Sequence, residues 1–241
     1  MNGYELQRIG KDASLHAIRH GLDCISEEIL IEQINIIKYG SKLEKRLVRN
    51  LEEDLRLTAF HEAGHAVLSY LLLPDIKIEQ VIIAPRLQSL GFISYSFEDF
   101  PSNLSKDEVF NNICVLMAGR MTSMKKFGLK GRDTGAASDL EAATHQTYTA
   151  IAILGMDEEL GFVHVDTLSH NINPQFFREV VEGQVRIWID KATKRAGELV
   201  ESNWQQIETL ADILIRQEIV DGGELERIMD EKRRERSKKT G

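Results

Sequence analysis

The run Thr58-Ala59-Phe60-His61-Glu62-Ala63-Gly64-His65-Ala66-Val67 constrains this chain more than any other. On an α-helix, residues four apart lie on one face, one turn above the other. His61 and His65 can therefore aim two imidazoles at one metal, and zinc accepts neutral imidazole nitrogen. Glu62, beside the first histidine, can reach a water on the same ion and act as its base. The spacing predicts a helix from about Leu55 to Leu72, ended by Pro74. Gly64 lies inside that helix, where glycine costs about 1 kcal/mol against alanine, and so implies close approach by another element.

The 241 residues suffice for one large or two small domains. A net charge of −8 argues against a nucleic-acid footprint. Cys24 and Cys114 match no paired metal or redox spacing and read as buried thiols of a reducing compartment. No apolar run approaches the roughly 20 residues that span a bilayer, and no signal-peptide pattern opens the chain. The chain is expected to be soluble, with any membrane attachment supplied by an anchor outside it.

The fold class expected is mainly α, with a small β-sheet or hairpin beside the His-Glu helix. Residues 5–48 read as helices, with Gly21 closing the first and Ser26-Glu27-Glu28 opening a second whose apolar surface runs up to Gly40. Residues 41–55 are densely charged and read as a solvated helix or linker. Lys77–Ala84 and Gly91–Phe97 read as two strands joined through Pro85 to Leu90. A strand beside such a helix can take a peptide onto its edge, which recognises backbone more than side chain. Ser105-Lys106-Asp107-Glu108 is a capping box and opens a helix to about Met124. The stretch from Lys125 to Gly135 reads as a loop, and a helix then starts near Thr134–Asp139. Residues 176–201 and 203–217 form two amphipathic helices anchored in the core by Trp188 and Trp204. Asp221-Gly222-Gly223 turns into a short helix, Glu224–Met229, and Lys232–Gly241 reads as a basic disordered tail.

Two histidines leave a zinc site incomplete. A catalytic site takes a third protein ligand and keeps a position open. The continuation His-x-x-Gly-x-x-His fails, because Leu68 and Leu71 stand at its positions. Glu79, Glu98, Asp133, Asp139 and Glu141 are all chemically suited, and spacing alone does not choose among them. His145 reads as a surface or packing residue, as do His16, His20, His164 and His170.

The motif resembles the peptidase signature of the FtsH family, the membrane-anchored AAA proteases. The likeness continues through Val81-Ile82-Ile83-Ala84-Pro85-Arg86 with Leu90-Gly91, through Ala118-Gly119-Arg120, and through Thr134-Gly135-Ala136-Ala137-Ser138-Asp139-Leu140. Gly155-Met156, Leu160-Gly161, Leu210-Ala211 and Ile228-Met229 extend it, so that it covers roughly Leu55–Asp230. The resemblance implies that Asp139 is the third zinc ligand beside His61 and His65, with Glu62 as the catalytic base. Residues 5–40 resemble the helical lid that ends an AAA module, although no phosphate-binding loop is present. The organisation implied is a lid remnant plus linker at 1–48, a zinc peptidase domain at 49–231 and a tail at 232–241. The activity implied is an ATP-dependent zinc endopeptidase that degrades unfolded or misassembled membrane and soluble proteins. Its ATPase module would lie upstream, its assembly would be a homo-hexamer, and its full-length form would be membrane-anchored with this domain on the cytoplasmic or organelle-interior side. The alternatives are a free-standing peptidase without an ATPase and a weak or inactive pseudoprotease acting in assembly. One departure favours the last: Met121-Thr122-Ser123-Met124 stands where the family usually has Ala-Ala-Glu-Glu.

Overall fold

The computed structural model describes residues 2–39, 41, 51–83, 91–96, 103–169 and 174–239. The charged stretch 42–50, the Pro85–Leu90 connection, Glu98 and His170 lie outside the described residues. The chain divides into two compact units, Met1–Leu55 with Ala84–Gly91, and Arg56–Ile83 with Phe92–Gly241.

In the first unit, α1 (Gly3–Arg19) packs against α2 (Glu27–Tyr39). The α1 start is a capping box. Asn2 Oδ1 accepts from the Glu5 N–H at 2.9 Å, and Glu5 Oε2 accepts from the Asn2 N–H at 2.8 Å. Ile9, Ala13 and Ala17, each one turn apart, form its buried stripe. Cys24 is exposed and Cys114 is buried, so only the second matches the expected buried thiol.

The second unit is built around the part of α3 (Leu51–Leu72) from Arg56 onward. This helix starts four residues earlier than Leu55, because Glu52, Glu53 and Asp54 suit the positive end of a helix. From Arg56 onward it is nearly surrounded: Ala59, Phe60, Ala63, Ala66, Val67 and Leu68 are all buried. Then come β1 (Ile78–Ile82), β2 (Phe92–Tyr95) and α4 (Lys106–Phe127), the last opened by the Ser105–Glu108 capping box. After a 3-10 turn at Gly128–Gly131 the chain forms α5 (Ala137–Tyr148), which runs into a π-helical turn at Thr149–Ile153. The elements α6 (Val165–Ser169), α7 (Pro174–Ser202), α8 (Trp204–Gln217), β3 (Ile219–Asp221) and α9 (Gly222–Lys239) complete the described chain. The helix α4 packs against both α5 and α7. Among the described residues no helix is long and apolar enough to cross a membrane.

The mainly α class with a small sheet holds, but the sheet has three antiparallel strands in the order β2-β1-β3. The third strand is three residues long, too short for alternation to show in sequence. It is delivered by Glu218, whose φ of 63° ends α8, and whose carbonyl accepts from the Ile83 N–H at 2.9 Å. Gly222 follows because a Cβ there would lie 2.0 Å from the Ile78 carbonyl oxygen. Only glycine lets α9 start against β1. That helix runs to Lys239, past the expected end at Met229 and through most of the stretch expected to be a disordered tail. Residues 230–239 hold Glu, Lys and Arg without Gly or Pro, and these are good helix formers.

Trp188 is buried, as expected of a core residue, and donates from Nε1 to Asp157 Oδ2 at 2.8 Å. Asp157 Oδ1 in turn accepts the Glu159 and Leu160 N–H groups at 3.0 and 3.1 Å, which fastens the loop after the π-helical turn onto α7.

Candidate metal centre

His61 and His65 are one turn apart on α3, and their rings meet edge to face with centroids 4.6 Å apart. The α4 segment from Val115 to Arg120 forms the wall behind them. Its Val115 carbonyl accepts from His65 Nδ1–H at 2.7 Å. One turn later Gly119 presents bare backbone to the rings: a Cβ there would lie 2.5 Å from His61 Cε1 and 2.5 Å from His65 Nε2. Gly64 faces the same helix, and a Cβ on it would lie 2.2 Å from Thr122 Oγ1. The close approach that Gly64 implies is therefore the α3–α4 seam.

Asp139 arrives from the first turn of α5, where the helix dipole favours a carboxylate. The segment that delivers it is tied to α4 at two points. Arg120 Nη2 donates to the Asp133 carbonyl at 3.0 Å, and Gly131 lies so close to Ser123 that a Cβ would fall 2.3 Å from its carbonyl carbon. Met121-Thr122-Ser123-Met124 thus packs helix seams, with Thr122 against Gly64 and Ser123 against Gly131.

These contacts bring three atoms to one point. Asp139 Oδ2 lies 3.0 Å from His61 Nε2 and 3.1 Å from His65 Nε2, and the two nitrogens are 3.0 Å apart. Because His65 Nδ1 donates to Val115, a neutral His65 turns the Nε2 lone pair inward. It faces a carboxylate oxygen and a second imidazole nitrogen. Three lone pairs at this spacing repel unless a proton or a cation lies among them. The ligands of a tetrahedral zinc at its usual bond lengths stand about 3.3 Å apart, close to the triangle found, so the donor set fits such an ion. Among the described residues no other three or more His, Cys, Asp or Glu side chains converge in this way.

Glu62 is buried beside the trio. Burial pushes its pKa up, the His65 and His61 charges oppose that shift, and Asp139 adds to it. For Asp139, burial works against the charged form, but the hydrogen bonds from His61 and His65 outweigh it and hold the carboxyl well below its ordinary value.

The other candidates lie elsewhere. Asp133 Oδ1 accepts the Gly135 N–H at 2.9 Å, Glu79 accepts from Ser94 Oγ, and Glu141 and His145 are exposed on α5. His16 in the last turn of α1 stacks on His20, which caps that helix, and His164 Nδ1 lies 3.0 Å from Thr167 Oγ1. Two parts of the wall escape a reading of side chains. Gly119, inside a helix, carries the same signal as Gly64, whereas the Val115 carbonyl carries none.

The model of peptidase family M41 matches residues 49–228. Over 95% of its length the chain is 30% identical to ATP-dependent zinc metalloprotease FtsH 1 of Thermoanaerobacter, covering 38% of that protein. It is 28% identical to ATP-dependent zinc metalloprotease FtsH of Thermotoga maritima, again over 95% of the chain and covering 39% of the relative. With the mitochondrial ATP-dependent zinc metalloprotease FTSH 10 of Arabidopsis thaliana it shares 27% identity over 95% of the chain, covering 28% of that protein. The chain thus spans roughly a third of the length of these relatives.

Proposed function

The chain belongs to peptidase family M41, and from that membership we propose that it is the peptidase portion of an ATP-dependent zinc metalloendopeptidase. The observation that carries the reading is the convergence of His61 Nε2, His65 Nε2 and Asp139 Oδ2 within 3.1 Å of one another, beside the buried Glu62. In this reading His61, His65 and Asp139 hold zinc, and the chain is a peptide-bond hydrolase. Bound there, zinc supplies a Lewis acid that makes a water acidic near neutral pH and polarises a scissile carbonyl.

The chain's own residues do the rest. Glu62 takes the proton of the attacking water and returns it to the leaving amine nitrogen. In the metal-free chain its burial pushes its pKa above that of an ordinary carboxylate. The Val115 carbonyl holds the His65 tautomer. The strand β2, at one end of the sheet order, offers an edge on which an extended substrate can pair through its backbone. Such recognition suits unfolded polypeptides of many sequences.

In the whole protein, an AAA ATPase module upstream would unfold membrane and soluble proteins and pass them to a homo-hexamer of these domains. A membrane anchor outside this chain would place them on the cytoplasmic or organelle-interior side. Within the chain, 1–48 is read as lid remnant and linker, 49–231 as the peptidase domain and 232–241 as a basic tail. The names of the relatives support the ATP-dependent reading.

The test is degradation of an unfolded model protein by the zinc-loaded chain beside Glu62→Gln. The expected loss is about 10²- to 10⁴-fold with zinc content unchanged. Equal rates in parent and variant would refute the assignment of the base.

A further inference from the structure

The catalytic helix and the edge strand are joined by a pair of hydroxyls. Ser69 lies on α3 one turn beyond His65 and two turns beyond Glu62, on the face that carries both. Its Oγ is 2.9 Å from the phenolic oxygen of Tyr95, the last residue of β2. Ser69 is buried. Burial pushes the Tyr95 hydroxyl up, Ser69 opposes that shift, and the Glu62 and Asp139 carboxylates add to it, so the phenol stays protonated beside the site.

The strand pairing bends at the same place. Residues 80, 81 and 82 of β1 pair in regular order with 94, 93 and 92, but Ile78 pairs with Tyr95, so Glu79 is an extra residue in β1. A bulge adds twist and re-aims the side chain opposite it. Here the bulge lies between the Ile78–Tyr95 and Gln80–Ser94 pairs, so Tyr95 flanks it. Tyr95 is half-buried, and its hydroxyl needs only one partner, which a bulge is not required to provide. A hydrogen bond and a bulge that converge on the end of the edge strand set that strand's place relative to the catalytic helix.

We propose that Tyr95 and Ser69 are positioning residues, which hold the substrate-pairing edge of β2 in register with Glu62 and so decide which peptide bond is cut. The proposal rests on the peptidase reading above. With the pair intact, a substrate strand on β2 presents one bond to the site. With the pair broken, β2 shifts along α3 and neighbouring bonds compete.

The experiment uses the zinc-loaded full chain, a defined unfolded protein as substrate, and Tyr95→Phe, Ser69→Ala and the double variant. Products are mapped by mass spectrometry, and kcat and KM are measured on one peptide cut from the main site. Tyr95→Phe keeps the ring in place, and Ser69→Ala removes the partner without adding bulk. The expected result is a fall in kcat of about tenfold or more with new cleavage positions one or two residues from the parent's. Zinc content stays the same, and the double variant is no worse than either single one. A lower melting temperature with unchanged kcat and an unchanged product map overturns the proposal and leaves the peptidase reading intact. A parent that cleaves nothing overturns both.

Discussion

Gly119→Ala tests the proposed metal centre without replacing any of its proposed ligands. The added methyl would lie 2.5 Å from His61 Cε1, 2.5 Å from His65 Nε2 and 2.6 Å from His61 Nε2. Non-bonded atoms rest about 3.5–4.0 Å apart, so each ring must give about 1 Å. A metal site tolerates about 0.2 Å in ligand position, roughly a fifth of that shift. The His65 ring has little freedom, because Val115 holds its other nitrogen at 2.7 Å. Loss of a group that merely supports a ligand weakens binding by about 10- to 100-fold, and direct displacement of two ligands should cost about 100-fold or more. Fold stability answers differently. Alanine gains about 1 kcal/mol of helix propensity over glycine, while overpacking costs about 1–3 kcal/mol. The metal-free variant should therefore lie between the parent and a destabilisation of about 2 kcal/mol. The assay is zinc competition against a chromophoric chelator, with Gly197→Ala as control. Among the described residues nothing beyond its own stretch of helix lies within 4 Å of a Cβ at Gly197, so that variant should keep zinc and gain up to about 1 kcal/mol. A Gly119→Ala chain that holds zinc as tightly as the parent would refute the reasoning.

Other perturbations separate packing from chemistry. Among the described residues Thr122 Oγ1 is buried with no hydrogen-bond partner, so Thr122→Val should raise stability by about 1 kcal/mol in a thermal melt. A drop would mean that the hydroxyl does useful bonding. Trp188→Phe leaves one Asp157 oxygen buried without its donor and should cost about 1–3 kcal/mol in urea unfolding; an unchanged midpoint would count against the loop–α7 fastening. In the metal-free chain, burial works against the His65 proton, but the Asp139 hydrogen bond and charge outweigh it and leave the pKa raised. Glu62 is raised by burial. The stability these two groups give is complete below their unfolded values and is lost as pH rises through the folded ones, whereas the Asp139 contribution is lost only in acid. The melting temperature of chelator-treated chain should therefore fall as pH rises above the ordinary carboxylate and then the ordinary imidazole range, and a flat or rising profile there would contradict this.

What the sequence discloses is what local rules encode. The four-residue histidine spacing and the small residues around it mark α3, and the Ser105–Glu108 box marks the first turn of α4. Gly64 announces a helix contact before the partner helix is known. What stays hidden depends on meetings between distant segments. Five carboxylates remained open on spacing alone, and the fold brings Asp139 across 74 residues to His65, a choice that no local pattern contains. The strand β3 is too brief to alternate. The hydroxyl pair Ser69–Tyr95 joins a helix to a strand through two residues that are unremarked in their own neighbourhoods.

The position of Asp139 has a consequence for how long a copy of this protein lasts. The span from His65 to Asp139 contains β1, β2 and α4, so an ion held as proposed clasps a large part of the chain closed. Because such an ion binds the folded chain and not the open one, each tenfold rise in free zinc above the dissociation constant adds about 1.4 kcal/mol to the fold. If the proposed function holds, copies that lose zinc would open more often, and open chains would be substrates of loaded copies. Zinc scarcity would then thin the population by self-digestion, and the surviving copies would be the loaded ones. Mixing loaded chains with chelator-stripped, isotope-labelled chains tests this: the labelled copies should disappear first, and equal lifetimes would count against it.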